Sequence, residues 1–170
     1  MRRLPVYLLI DTSGSMKGEP IEAVNAGLRT LVSSLRRDPQ ALETAYISII
    51  TFDREAKVIV PLTAIEDLQL PEITTPESGP TMTGAALELV CNRVDLEVRS
   101  VSNDVKRDWK PLMFIMTDGS PSDIQKYREQ IPECRKRHFA AITACAAGVG
   151  AKIDALKDLA TSTVSLDTCD

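Results

Sequence analysis

Two short apolar runs, each ending at an acid, constrain this chain more than anything else in it. The first, Val6-Tyr7-Leu8-Leu9-Ile10, meets Asp11, and hydroxyls follow at every second position, Ser13 and Ser15. The second, Leu112-Met113-Phe114-Ile115-Met116, reaches Asp118-Gly119 through Thr117. An uninterrupted apolar run that stops at small turn-forming residues predicts a buried central strand. Asp11, Ser13 and Ser15 then cluster at the carboxyl end of their strand, the edge at which open α/β sheets bind ligands. Between the two runs, Gly79-Pro80-Thr81-Met82-Thr83-Gly84 opens an amphipathic segment, Ala85 to Val98, and sets a hydroxyl at the start of a predicted helix. Two parallel strands ending in Asp, with a Thr loop between them, converge on one point. Hard cations take oxygen ligands, and Mg²⁺ keeps several waters and few protein groups. One carboxylate and two hydroxyls make one side of such a site.

The remaining segments predict what surrounds that point. Glu19-Pro20 begins a helix in which Ile21, Val24, Leu28, Leu31, Val32 and Leu35 share one face, and Arg36 to Pro39 end it. Tyr46 to Phe52 is a β-branched strand; Asp53-Arg54-Glu55 turns the chain into Ala56, Val58, Val60 and Leu62, which alternate. That hairpin puts an antiparallel strand at a sheet edge. After a proline-rich passage, the helix that follows Thr81 buries Leu87, Val90, Cys91 and Val94. Arg99 to Lys110 is charged and predicts a mobile surface connection. Ser122-Asp123-Ile124-Gln125 reads as a capping box, with Ile124, Tyr127, Ile131 and Cys134 on one helix face and Pro132 distorting it. A small-residue strand from Phe139 to Val149, a helix marked by Ile153, Leu156 and Leu159, and a strand from Val164 to Leu166 complete the pattern. Strands alternating with helices predict an α/β fold, a Rossmann-like three-layer α/β/α sandwich with a mostly parallel central sheet. The strands ending at Asp11 and Asp118 are expected side by side near its middle.

At 170 residues the chain fits one domain with a full core, expected to span 1–170. A net charge of −4 argues against a nucleic-acid surface, which is normally basic. The apolar run after Arg2-Arg3 is too short for an export signal or a membrane span, so a cytoplasmic protein with no membrane partner is expected. Cys91, Cys134, Cys145 and Cys169 lack the C-x-x-C spacing; reduced, mostly buried thiols follow, with Cys169 the exposed one.

Asp11-x-Ser13-x-Ser15, then Thr81, then Asp118-Gly119, in that order on alternating strand and helix patterns, resembles the metal-ion-dependent adhesion site of von Willebrand factor type A domains. The resemblance covers essentially the whole chain. It implies a non-enzymatic protein-binding module in which Ser13, Ser15 and Thr81 coordinate Mg²⁺ directly while Asp11 and Asp118 hold it mainly through waters; Mn²⁺ or Ca²⁺ fit the same oxygens. A partner Glu or Asp then takes the open position, a charge–charge contact that a neutral group cannot match. The opening Arg3 to Met16 is similar to bacterial tellurite-resistance proteins of the TerY group, which implies a stress-response scaffold associated with a protein kinase and a PP2C-type phosphatase.

Several residues read more simply. Thr83 is a helix-start hydroxyl, Asp53 a hairpin-turn residue and Ser120 a loop residue beside the site. His138, after Arg135-Lys136-Arg137, is the solvated end of a helix rather than a catalytic base. Met16, Met82 and Pro121 are expected around the metal as an apolar rim. The enzyme alternative is a Mg²⁺-dependent phosphohydrolase of the haloacid-dehalogenase type, which asks for Asp-x-Asp at the first strand. Ser13 occupies the second position, and neither a phosphate-binding G-x-x-x-x-G-K-[ST] loop nor a nucleophile–histidine pair is present.

Overall fold

The computed structural model describes residues 2–75, 79–99, 107–147 and 156–165. Its strands are β1 (Leu4–Asp11), β2 (Ala45–Phe52), β3 (Ala56–Ala64), β4 (Leu112–Thr117), β5 (Ala141–Ala146) and β6 (Ser162–Ser165). Its helices are α1 (Glu19–Arg37), α2 (Pro39–Thr44), α3 (Thr83–Glu97) and α4 (Ile124–Lys136). The strands form one sheet in the order β3-β2-β1-β4-β5-β6. Among the described strands only the β2–β3 pair is antiparallel, so the predicted hairpin puts its second strand at the edge. The chain leaves β1 for β2 on one side and reaches β4 on the other, which makes the β1–β4 gap the switch point.

The apolar runs are continuous because β1 is covered on both faces. Tyr7 and Leu9 pack with α3 and α4, among Leu87, Val90, Tyr127 and Ile131. Val6, Leu8 and Ile10 pack on the opposite face against Val24, Leu28 and Val32 of α1. Each such side chain contributes roughly 1.5–3 kcal/mol when fully buried. A polar residue within the run would forfeit that gain and add a desolvation penalty. β3 is less buried, and its residues alternate between half-buried and exposed until Pro61; Ala56, Val58 and Leu62 pack on the α3 side and Val60 on the α1 side.

The helix faces follow the sequence spacing, with exceptions. Ile21, Val24, Leu28 and Val32 of α1 are buried, and Leu31 and Leu35 partly so. Ile124, expected on the buried face of α4, is 48% exposed. α4 runs through Pro132 without ending. Asp38-Pro39 does not simply stop α1: the Asp38 carboxylate accepts the Gln40 and Ala41 N–H groups and starts the extra helix α2. β5 is shorter than the run Phe139 to Val149. Of the last predicted helix, Leu156 and Leu159 are buried, while Ile153, like Leu166 of the last strand, lies outside the described residues. Cys91, Cys134 and Cys145 are buried, with Cys91 Sγ 3.6 Å from Cys134 Sγ; Cys169 falls outside the described residues.

The connection before β4 departs most from expectation. Asp108 is 5% exposed, and the Asp108 N–H and Trp109 N–H donate to Arg99 O and Arg3 O. That part of the connection is docked on the amino end of the sheet. Among the described residues no helix is long and apolar enough to cross a membrane.

Candidate functional site

β1 carries Asp11 to the carboxyl edge of the sheet, where its side chain is fully buried. One carboxylate oxygen accepts the Ser13 N–H at 2.8 Å. The other accepts the Thr117 hydroxyl, from the end of β4, at 2.7 Å. Small residues then let the chain curl into a single 3-10 turn, Gly14–Met16, closed by Met16 N–H on Ser13 O. The turn brings Ser13 Oγ within 3.2 Å of Ser15 Oγ, and Ser15 Oγ donates to Asp118 Oδ1 at 3.0 Å. Four of the five expected residues are thus joined by polar contacts across the switch point.

Thr81, the fifth, is brought to the same edge through its backbone. Its N–H donates to Ser122 Oγ at 2.9 Å, and its carbonyl accepts the Ser122 N–H at 2.8 Å. Among the described residues its hydroxyl makes no hydrogen bond to the other four. Ser122 therefore spends its side chain on the Thr81 loop rather than capping α4. The expected capping box is absent, and Gln125 bonds Glu129 instead.

Asp123, at the N-cap of α4, reaches across to the neighbouring helix. Its two oxygens accept the Gly84 and Ala85 N–H groups at 2.8 and 2.9 Å, capping α3 from another segment. The close approach requires glycine at 84. A Cβ there would stand 2.5 Å from Tyr127 N and 2.8 Å from Lys126 C. A further tie comes from Asp53, read from sequence only as a turn residue. Its carboxylate accepts Thr12 Oγ1 at 2.8 Å, and its carbonyl accepts the Met82 N–H at 2.9 Å. Asp53 thus fixes the Asp11 loop and the Thr81 loop to one hairpin. Local sequence gave no sign of the Asp123 cap, whose partners lie 38 and 39 residues away. Gly84 did carry a signal, since glycine at a helix start can mark close backbone approach.

The electrostatics set Asp11 apart. Burial pushes its carboxyl above the ordinary range, against hydrogen bonds from Ser13 and Thr117, and the negative Asp118 nearby pushes the same way. No side-chain cation offsets that charge: among the described residues no ion pair involves Asp11 or Asp118. Nor do three or more His, Cys, Asp or Glu side chains converge anywhere among the described residues. The donor set is therefore hydroxyl and carboxylate oxygen alone, the chemistry of a hard cation. Adjacent oxygens around octahedral Mg²⁺ stand about 3 Å apart, from Mg–O distances near 2.1 Å. The Ser13–Ser15 separation of 3.2 Å is close to that edge, so these two hydroxyls are compatible with one such ion.

The rim differs from the expected apolar ring. Met16 is 0% exposed and packs into the α1 core, and Pro121 is buried too. Ser15, Lys17, Ser120 and Ser122 are exposed, with Met82 half-buried. A mainly polar edge surrounds the site, and Ile124 is an exposed apolar group on its α4 side.

The sequence profile of the von Willebrand factor type A domain matches residues 6–165. An uncharacterized protein of Synechocystis sp. is 38% identical over 61 residues, which are 35% of this chain and 13% of that protein. Among solved structures, proximal thread matrix protein 1 from the mussel byssus superposes with a TM-score of 0.71 at 17% identity. That match covers 98% of this chain and 45% of the mussel protein. The SpRpn10 VWA domain superposes with a TM-score of 0.62 at 16% identity, covering 96% of this chain and 87% of that one. The chain spans less than half the length of the Synechocystis and mussel proteins.

Proposed function

The chain belongs to the von Willebrand factor type A domain family, and on that premise we propose that it is a non-enzymatic interaction module whose partner docks through a divalent cation. The observation that carries this reading is the line of contacts from Asp11 through Ser13 and Ser15 to Asp118, built from oxygen donors with no cation among them. Ser13, Ser15 and Thr81 would bind Mg²⁺, or Mn²⁺ or Ca²⁺, through neutral hydroxyls, with Asp11 and Asp118 holding it through waters. With its charge thus little neutralised, the bound cation supplies an electrophilic centre for one Glu or Asp of a protein ligand.

The hydroxyl at position 13 supports a binding role over hydrolysis, since a phosphohydrolase of this topology needs a second carboxylate there for acid–base work. On the resemblance of Arg3 to Met16 we assign the module to a cytoplasmic bacterial tellurite-resistance and stress-response system. There it would act as a scaffold for a protein kinase and a PP2C-type phosphatase.

Calorimetry with Mg²⁺ and Mn²⁺ on the native chain and on Asp11→Ala tests the metal: heat in the first and none in the second is expected. Equal binding by both would move the site elsewhere. Capture of the partner from host lysate is expected to fail in excess EDTA and in Thr81→Ala. Full-strength capture in EDTA would overturn the docking mode. Turnover of p-nitrophenyl phosphate that vanishes in Asp11→Asn would overturn the non-enzymatic assignment.

A further inference from the structure

The end of the sheet opposite Asp11 holds a second, differently built surface. Eight residues of β1 separate the two, about 25 Å at the rise of a strand. A groove of about 890 Å³ opens there beside the starts of β1 and β4, with Arg2, Arg107, Trp109, Lys110, Pro111 and His138 in its walls. Arg107, Trp109, Lys110 and His138 are exposed, Trp109 by 48%. The Arg2 guanidinium lies 3.5 Å from the centroid of the Trp109 ring, and its Nε donates to Arg107 O.

One carboxylate lines the groove, Asp108, and it is already satisfied. Arg3 grips it through Nε at 2.9 Å and Nη2 at 2.6 Å, and the Arg99 N–H adds a third bond at 2.7 Å. Burial alone would raise the Asp108 carboxyl, but these donors hold it below its ordinary range. Its side chain is 1% exposed. Among the described residues no ion pair involves Arg2, Arg107 or Lys110. The groove thus presents cations around an aromatic ring, on a floor that Asp108 and the Trp109 N–H bond to Arg3 O hold in place.

We propose that this groove is a docking site for an acidic protein segment, one bringing Glu or Asp side chains next to an apolar residue. A concave patch of one charge sign focuses its field on an opposite ligand, and Trp and Arg are among the residues enriched at the energetic centre of interfaces. Nucleic acid fits less well. The chain as a whole carries −4, and a phosphate backbone needs an extended basic track rather than one pocket. The site stands independently of the metal reading, and its distance from Asp11 lets two partners bind at once.

Trp109 is the sole tryptophan, so its emission reports on the groove directly. A short Glu- and Asp-rich peptide carrying one Leu is titrated into the full chain in EDTA, which leaves the metal site out. The expected result is a saturable emission change at low salt that weakens as salt rises. The double variant Arg107→Glu, Lys110→Glu, expected to keep the native circular dichroism because both side chains are exposed, is expected to bind roughly tenfold more weakly or worse. Unchanged affinity in that variant, or no emission change in the native chain, would overturn the proposal. Tighter binding of a single-stranded oligonucleotide of equal charge would assign the groove to nucleic acid instead.

Discussion

Asp11 and Asp108 are both buried carboxylates, one at each end of the same sheet, and they are served in opposite ways. Asp108 faces an arginine and is held below its normal range. Asp11 faces a peptide N–H, a threonine hydroxyl and a second acid, and is held above it. A buried acid already neutralised by a side chain serves the fold. One given only neutral donors keeps its charge available for a cation from outside.

The largest test of that contrast is removal of each acid in turn. Asp108→Ala leaves the Arg3 guanidinium buried without its partner and the Arg99 N–H without its acceptor. A loss of roughly 3–5 kcal/mol is expected, read as a shift of the denaturant midpoint. Asp11→Asn removes a desolvated charge while keeping the shape. In metal-free protein it should change stability by less than about 1 kcal/mol. It should also abolish the rise in melting temperature that Mg²⁺ gives the native chain. Comparable losses in the two variants would erase the distinction.

Gly84→Ala comes next, since its Cβ must force α3 away from the start of α4. A destabilisation of roughly 1–3 kcal/mol is expected, together with weaker Mg²⁺ binding measured by calorimetry, because the Thr81 loop moves with α3. Loss of stability with unchanged metal affinity would separate the helix contact from the site.

Acid titration of metal-free protein sharpens the comparison further. The folded pKa of Asp108 lies below its unfolded value, so its contribution is present above the unfolded pKa and fades as pH falls through the folded one. Asp11 has the reverse sign: its penalty is present above its raised folded pKa and is relieved as pH falls. Asp108→Asn should therefore lose less stability than the native chain on acidification, and Asp11→Asn more. Denaturant midpoints across the acid range check both signs.

The smallest effect belongs to His138, which ends α4 at φ 55. Glycine adopts that left-handed conformation without the Cβ penalty but gives up unfolded-state entropy. His138→Gly should gain only about 0.5 kcal/mol, a rise of roughly 1–2 °C in Tm.

Much of this was legible in advance because strand burial, helix spacing and a hairpin are written locally. The runs at Val6 and Leu112 could be read as central strands from their lack of polar alternation. Asp11, Ser13 and Ser15 lie so close in sequence that one turn must gather them. The misreadings share a cause: Ser122 and Asp123 look like parts of a local cap, yet their partners sit on α3 and its leading loop. Met16 and Ile124 likewise traded places, one buried and one exposed, because the tight turn and the α3–α4 approach decide which way they face. Asp38-Pro39 was different. Its signal for a new helix was present, a cap followed by proline at the first position, but it also suits the end of the preceding helix.

The β2–β3 hairpin has a consequence for how this molecule behaves in a crowded solution. A sheet ends in unpaired peptide groups that invite another chain to add on, and β3 occupies such an end with Lys57 and Pro61 in it and register shifts against β2. Lysine repels a copy of itself, proline withholds a donor, and irregular pairing twists the margin out of line. Strand addition between copies is thus discouraged at the β3 margin of the described sheet. A domain built this way can be held at high local concentration by its partners without zipping onto itself along that margin.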